Sequence, residues 1–274
     1  MLSKTIPSSG EALPAIGIGT YKGFDLSDGA EARARLAEVL RRLFAAGGSI
    51  VDSSPMYGQA EARTGQALAA LGKQDDAFIM TKVWTSGRKA GTRQMLDSLT
   101  FFGVARIALM QIHNLVDWRT HLPTLREWQA AGKLRYLGIT HYTTGAFGEV
   151  EAVVRREKVD FLQIPYSIAE RDAEERLLPL CREKGVAVIA NVPLGSGRLL
   201  RAAKGKAVPD WARQFGAGTW AQFFLKYLLG HDACTCAIPG TGNPDHAADL
   251  LGAGEGRLPH ASERRRMVET LAAL

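Results

Sequence analysis

The chain has 274 residues, 46% hydrophobic and 23% charged, an ordinary soluble globular composition with enough apolar material for a sizeable core. Its 34 basic and 28 acidic residues leave a charge of +6, but they are scattered, with no basic run interleaved with aromatics, so a nucleotide phosphate is a better anionic partner than a nucleic acid. The N-terminus MLSKTIPSSGEALP has no apolar signal core, no window holds the ~18 apolar residues of a membrane span, and Cys181, Cys234 and Cys236 suggest neither a disulfide framework nor a zinc site.

Together these features point to a reducing cytoplasm and exclude a membrane partner. In chain order, IPSSGEALPAIGIG reads as two short strands turning at Ser9-Gly10, a hairpin suited to plug a barrel floor. Leu36, Val39, Leu40, Leu43 and Phe44 mark one face of a helix that Gly47-Gly48 stop, and the strand SIVD follows. The pattern then repeats, with helices predicted near 60–72, 90–101, 119–131, 144–156, 172–184 and 219–229. Between them lie strands near 77–82, 106–112, 134–139, 160–164, 186–191 and 233–238.

With SIVD and the strand before Thr20, that makes eight strands alternating with helices. The expectation is a single α/β domain spanning 1–274, a (β/α)8 TIM barrel, a fold that commonly uses about 250 residues. No G-x-G-x-x-G follows a strand, which argues against an open doubly wound sheet. The connection Gly195–Gly218 is too long for a simple βα loop, and such loops are usually functional or mobile. Its basic stretch RLLRAAKGK reads equally as a solvated face or a phosphate contact, and ASERRRMVETLAAL closes the chain as a helix.

Three strand ends carry the chemistry. SIVD ends in Asp52, with Tyr57 five residues on; AFIMTK brings Lys82 and IALMQIH brings His113. A phenol, unperturbed near pKa ~10, donates a proton poorly at neutral pH unless a neighbouring cation stabilises the phenolate. An ammonium held by a carboxylate supplies that cation, and a histidine beside the phenol can orient and polarise a carbonyl oxygen. Each residue alone has a duller reading, as a loop cap, a core histidine or a solvated lysine. Four at successive strand ends look like one constellation.

These motifs resemble the aldo-keto reductases. The pieces are G-T-Y at Gly19–Tyr21, D-S-S-P-M-Y-G at Asp52–Gly58, T-K-V-W at Thr81–Trp84 and Q-I-H-N at Gln111–Asn114. G-I-T-H at Gly138–His141, Gln163 in FLQIPY, P-L-G-S-G at Pro193–Gly197 and I-P-G-T at Ile238–Thr241 follow. The resemblance implies Tyr57 as general acid, Lys82 lowering its pKa, Asp52 pairing with Lys82, His113 orienting the carbonyl, hydride from a nicotinamide, and no metal. It also implies cofactor contacts from Gly19, Thr20, Tyr21, Thr140, His141, Gln163, Asn191, Pro193, Leu194, Gly195, Ser196, Gly197, Ile238, Pro239, Gly240, Thr241 and His246. Tyr21, Trp84, Asn114 and Trp118 are candidates for a substrate pocket suited to apolar or aromatic carbonyl compounds.

The chain departs from the family pattern at the cofactor. Thr140-His141 replace a common Ser-Asn, and Asn191 stands where an aromatic often stacks on the nicotinamide; Tyr166 is an alternative stacking ring that reads at least as readily as a core or rim residue. Gly240 and His246 occupy positions where many NADP-dependent members carry Lys and Arg for the 2′-phosphate, leaving Thr241 and His246 as contacts, with backbone N–H groups, the following helix N-terminus, Arg198 or Arg201 as other means of holding it. The expectation is a monomer that reduces aldehydes or ketones with NADP as cofactor, NADPH only modestly ahead of NADH. An NADP-binding redox-sensing or regulatory barrel with little turnover, and a (β/α)8 lyase or isomerase using the tyrosine as acid without nicotinamide, stay open.

Overall fold

The computed structural model describes residues 1–274. A hairpin, β1 (Ser3–Thr5) and β2 (Ala12–Pro14), precedes the first barrel strand β3 (Ile18–Gly19). Barrel units follow as α1 (Ala30–Ala45), β4 (Ile50–Asp52), α2 (Ala60–Leu71), β5 (Phe78–Val83), α3 (Arg88–Phe102), β6 (Ile107–His113) and α4 (Trp118–Ala130). Next come β7 (Leu134–Thr140), α5 (Phe147–Arg156), β8 (Phe161–Pro165), α6 (Leu177–Lys184) and β9 (Ala187–Asn191). The chain ends with α7 (Arg198–Ala202), α8 (Trp220–Leu229), β10 (Cys234–Ala237), α9 (Pro244–Gly252) and α10 (Ala261–Ala272).

Strands β3 to β10 pair in sequence order, all parallel, in one eight-stranded sheet. Parallel bridges Ile16–Ala237 and Gly19–Gly240 join its first and last strands and close the (β/α)8 barrel. Beyond that seam the two loops touch backbone to backbone, and a Cβ on Gly242 would sit 2.2 Å from the Gly23 carbonyl oxygen. Only glycine permits this approach.

Alternation along the strands separates two cores. Outward residues such as Val51, Ile79, Met110, Ile112 and Ile164 pack beneath the helices, against faces such as Leu36, Val39, Leu40 and Leu43 of α1. Inward residues form the barrel interior: Ile50, Phe78, Met80, Leu109, Tyr136, Phe161, Ala187, Ile189, Cys236 and Ile238. Ile6 and Leu13 of the hairpin are buried in this second cluster, so the hairpin fills the floor as expected. Burial of each such side chain contributes roughly 1.5–3 kcal/mol. Lys4 fastens the hairpin, donating to the carbonyls of Leu229, His231 and Cys234 at 2.6, 2.9 and 2.6 Å.

Two expectations need correction. The first hairpin strand lies before Ile6 rather than at Ile6-Pro7, because Pro7 has no N–H and the chain turns over residues 7–9. The Gly195–Gly218 connection is no free loop. It holds α7 and a 3₁₀ helix, Asp210–Phe215, whose Phe215 is fully buried, while Trp211 lies beneath Arg266 of α10 at 4.3 Å. The three thiols are free and buried, Cys234 in the outer core and Cys236 in the inner one, as their alternation requires.

Candidate active site

The inward layer above the apolar floor is polar. Asp52 ends β4, Lys82 and Gln111 are register partners on β5 and β6, and Thr140 pairs with Gln163 across β7 and β8. Lys82 Nζ donates to Asp52 Oδ1 at 2.8 Å, to Oδ2 at 3.0 Å and to the Ser53 carbonyl at 2.6 Å. Its ammonium also lies 5.3 Å from the centroid of the Tyr57 ring. A β-turn delivers that ring: Pro55 presets its second position and Tyr57 N–H donates to the Ser54 carbonyl at 2.9 Å. His113, the last residue of β6, stands edge-on to Tyr57 at 6.1 Å, and its Nδ1 is 2.9 Å from the Ser54 hydroxyl. The four groups read from three strand ends thus meet at the C-terminal mouth, where barrel enzymes build their sites.

Electrostatics assign their charge states. Burial works against the Lys82 ammonium, but Asp52 and Tyr57 outweigh it and raise its pKa. Burial also raises the Asp52 carboxyl, against the pull of Lys82. The Tyr57 phenol is pushed above its ordinary value by burial, with Lys82 opposing. Lys82 therefore favours the phenolate as expected, yet desolvation prevails and Tyr57 keeps its proton. Burial, with the Lys82 ammonium adding like charge, lowers His113 to about 3, so its imidazole is neutral.

The rim divides the pocket candidates. Tyr21, 55% exposed, lies 4.9 Å from Tyr57, and Trp84, 42% exposed, lies 6.3 Å from His113. Gln94 of α3 grips the Trp84 main chain from both sides, and His121 Nε2 donates to the Thr85 carbonyl at 2.6 Å, so this loop is held by two helices. Asn114 follows His113 in a left-handed conformation (φ 53°) with its Oδ1 buried and unpartnered. Trp118 does not join them: it opens α4 beneath the Arg119 guanidinium, on an outer groove with Leu122 and Arg126.

Around the end of β7, Thr143 N–H donates to His141 Nδ1 at 3.2 Å, leaving the proton of the neutral ring on Nε2. Asn191 donates its amide N–H to the His141 carbonyl at 3.1 Å, and its Oδ1 is left buried without a donor. Gln163 accepts from Gln111 at 2.7 Å and reaches Asp52 only at 3.4 Å, so its N–H groups are weakly engaged. Two sources of N–H and one lone acceptor complement a primary amide, and these residues fit a nicotinamide carboxamide. Tyr166 cannot supply the missing stacking ring, because it is fully buried with its hydroxyl bonded to Glu174 and Arg264 at 2.5 and 2.9 Å.

After β9, Gly195, Ser196 and Gly197 are consecutive left-handed residues (φ 56°, 53° and 82°) leading into α7. Thr20 and Tyr21 open the loop after β3, and Ile238, Pro239, Gly240 and Thr241 cross the seam opposite it. The Thr241 hydroxyl accepts from Asn243 N–H at 3.0 Å, while Asn243 Oδ1 caps Asp245 and His246 N–H at 2.8 and 3.3 Å. The first donors of α9 are therefore spent on its own cap. Pro193 and Leu194 precede the left-handed stretch, and His246 is exposed in the first turn of α9. Sequence reasoning missed Ser53 and Ser54, legible only as small polar residues of D-S-S-P, and Gln111, whose place two residues before His113 assigns it to the same inward face.

Comparisons with known proteins bear on the family and the fold. The chain is 27% identical over 248 residues to the methylglyoxal reductase YeaE of Escherichia coli, covering 87% of this chain and 85% of that one. It is 33% identical over 177 residues to the aldo-keto reductase str7 of Strobilurus tenacellus, a match over 59% of this chain that spans about half (51%) of that protein. An aldo/keto reductase from Klebsiella pneumoniae in complex with NADP and acetate superposes with a TM-score of 0.81 at 24% identity, over 99% of this chain and 95% of that one. A second Klebsiella pneumoniae structure, an aldo-keto reductase in complex with NADPH, gives 0.80 at 25% identity over 99% and 96%. The sequence model of the Aldo/keto reductase family matches residues 15–265, and the chain belongs to that family of NAD(P)H-dependent oxidoreductases.

Proposed function

We propose that this protein reduces the carbonyl group of small aldehydes or ketones with NADPH, reversibly, with Tyr57 as general acid. One observation carries the reading: the Tyr57 phenol lies over an ammonium that Asp52 clamps with both oxygens, beside a neutral His113. A carbonyl oxygen between Tyr57 and His113 meets two donors. As negative charge develops there, the Tyr57 proton moves to it, and the phenolate left behind faces Lys82. Asp52 takes no proton in this step; it keeps the ammonium in place. Nicotinamide, when bound, supplies the hydride. Thr140, His141, Gln163 and Asn191 hold its carboxamide, and Gly19, Thr20, Tyr21, the Pro193–Gly197 stretch and Ile238–Thr241 hold the rest, with His246, Arg198 or Arg201 toward the 2′-phosphate.

Tyr21, Trp84 and Asn114 form the substrate rim, whose exposed aromatics suit apolar or aromatic carbonyl compounds. All four catalytic groups come from one chain, which we read as a cytoplasmic monomer; no helix is long and apolar enough to cross a membrane. Asn191, which offers no π-face, favours the second reading of an NADP-binding regulatory barrel. Titration with NADPH and NADH by Trp fluorescence, followed by absorbance at about 340 nm after adding an aromatic aldehyde or methylglyoxal, separates them. Binding with turnover supports the reductase, and binding without turnover supports the regulator.

A further inference from the structure

We propose that Ser54 is a positioning residue that selects the tautomer of His113, keeping the imidazole proton on Nε2, where it faces the carbonyl. The inference rests on the reductase reading for its purpose, but its geometry stands alone. Ser54 is fully buried, and its hydroxyl has two neighbours within hydrogen-bond distance: Met56 N–H at 3.4 Å and His113 Nδ1 at 2.9 Å. The first is a donor only. A buried hydroxyl must place its proton on an acceptor, and Nδ1 is the acceptor on offer. Nδ1 then carries the lone pair, and the single proton of a neutral ring sits on Nε2.

That nitrogen makes no hydrogen bond within the protein, so its N–H is free for a ligand at the mouth. The opposite tautomer would leave Nε2 as an acceptor facing another acceptor, the carbonyl oxygen. Sequence explains the precision of the contact. Pro55 disfavours helical backbone at Ser54 and starts the turn that carries Tyr57, so one turn sets both the proton donor and the partner that orients the histidine. Neither Asp52 nor Lys82 bonds to the His113 ring, so the catalytic ion pair cannot perform this selection.

The test is long-range ¹H–¹⁵N NMR of the full chain, with His113 assigned from the spectrum of His113→Asn. The parent should show Nε2 protonated and Nδ1 as the bare nitrogen. Ser54→Ala should mix the tautomers and slow single-turnover oxidation of NADPH by an aldehyde at least about tenfold, while the protein stays folded and Kd for NADPH stays within error; Ser54→Thr, which keeps the hydroxyl, should keep the parental spectrum. A parental spectrum with the proton on Nδ1 overturns the proposal, as does a Ser54→Ala protein with unchanged tautomer. The spectra need no turnover, so an absence of aldehyde reduction defeats the reductase reading without deciding this one.

Discussion

Lys82 holds both carboxylate oxygens of Asp52, at 2.8 and 3.0 Å, where neither side chain is more than 3% exposed. A buried ion pair is a poor source of stability, since desolvation offsets most of its attraction, but losing one partner strands the other. Lys82→Met keeps the apolar stem and strands Asp52, which should cost about 3–5 kcal/mol near neutral pH. Burial already raises the Asp52 pKa and would raise it further without Lys82, so the deficit grows as pH rises through the carboxylate range and shrinks in mild acid. Thermal unfolding across pH measures it. The hydride step should slow by more than about tenfold (~1.4 kcal/mol). Parental stability at every pH with a smaller rate loss would dissolve the Asp52–Lys82–Tyr57 unit.

Tyr57→Phe removes the proton and keeps the ring. Carbonyl reduction should fall at least ~100-fold, the low end for a lost general acid, with NADPH binding and folding retained. Steady-state kinetics beside fluorescence titration give the answer; undiminished turnover by a folded variant would assign the proton donor elsewhere.

The preference for NADPH should be weak. The first turn of α9 offers an exposed carboxylate, Asp245, paired with Arg42 of α1 at 2.9 Å, and its leading N–H groups are capped by Asn243. Without a dedicated cation, the NADPH over NADH ratio in kcat/KM should stay below about 100-fold, roughly 2.7 kcal/mol. Asp245→Asn should raise it several-fold by removing about 0.5–1 kcal/mol of repulsion from a 2′-phosphate. An unchanged ratio would place that phosphate away from α9.

Arg264 joins the last helix to the barrel. It donates to Glu174 at 2.6 Å and to the Tyr166 hydroxyl at 2.9 Å, and Glu174 also accepts from Tyr227 at 2.8 Å. Burial opposes the Glu174 carboxylate, but hydrogen bonds from both tyrosines and the charge of Arg264 hold its pKa below the ordinary value. Its stabilisation is therefore complete above the usual carboxylate range and lost as pH falls through the lowered value. Arg264→Met should cost about 2 kcal/mol at neutral pH, discounted for partial exposure, and less in acid. Denaturant unfolding at the two pH values tests this; a deficit equal at both would mean lost packing over the Tyr227 ring alone.

Strand and helix order were legible in the sequence because each unit repeats one apolar period, and the observed strands from β5 onward begin within a residue of those expected. The four candidate residues were equally legible, since Asp52, Lys82 and His113 are each the first ionisable group of an apolar strand run and Tyr57 follows Asp52 by five residues, and barrel closure carries strand ends to one mouth. What the tertiary structure decided is the work of residues whose chemistry depends on distant neighbours. Tyr166 could have faced the cofactor until Glu174 and Arg264 claimed its hydroxyl, and Trp118 could have lined the pocket until the start of α4 turned it outward. The direction of the Tyr57 pKa is likewise beyond a motif, because it is a contest between a cation on another strand and the depth of burial. Ser54 carries no signal in its own letter. Its role exists only because a turn after β4 and the end of β6, 59 residues apart in sequence, come within one hydrogen bond.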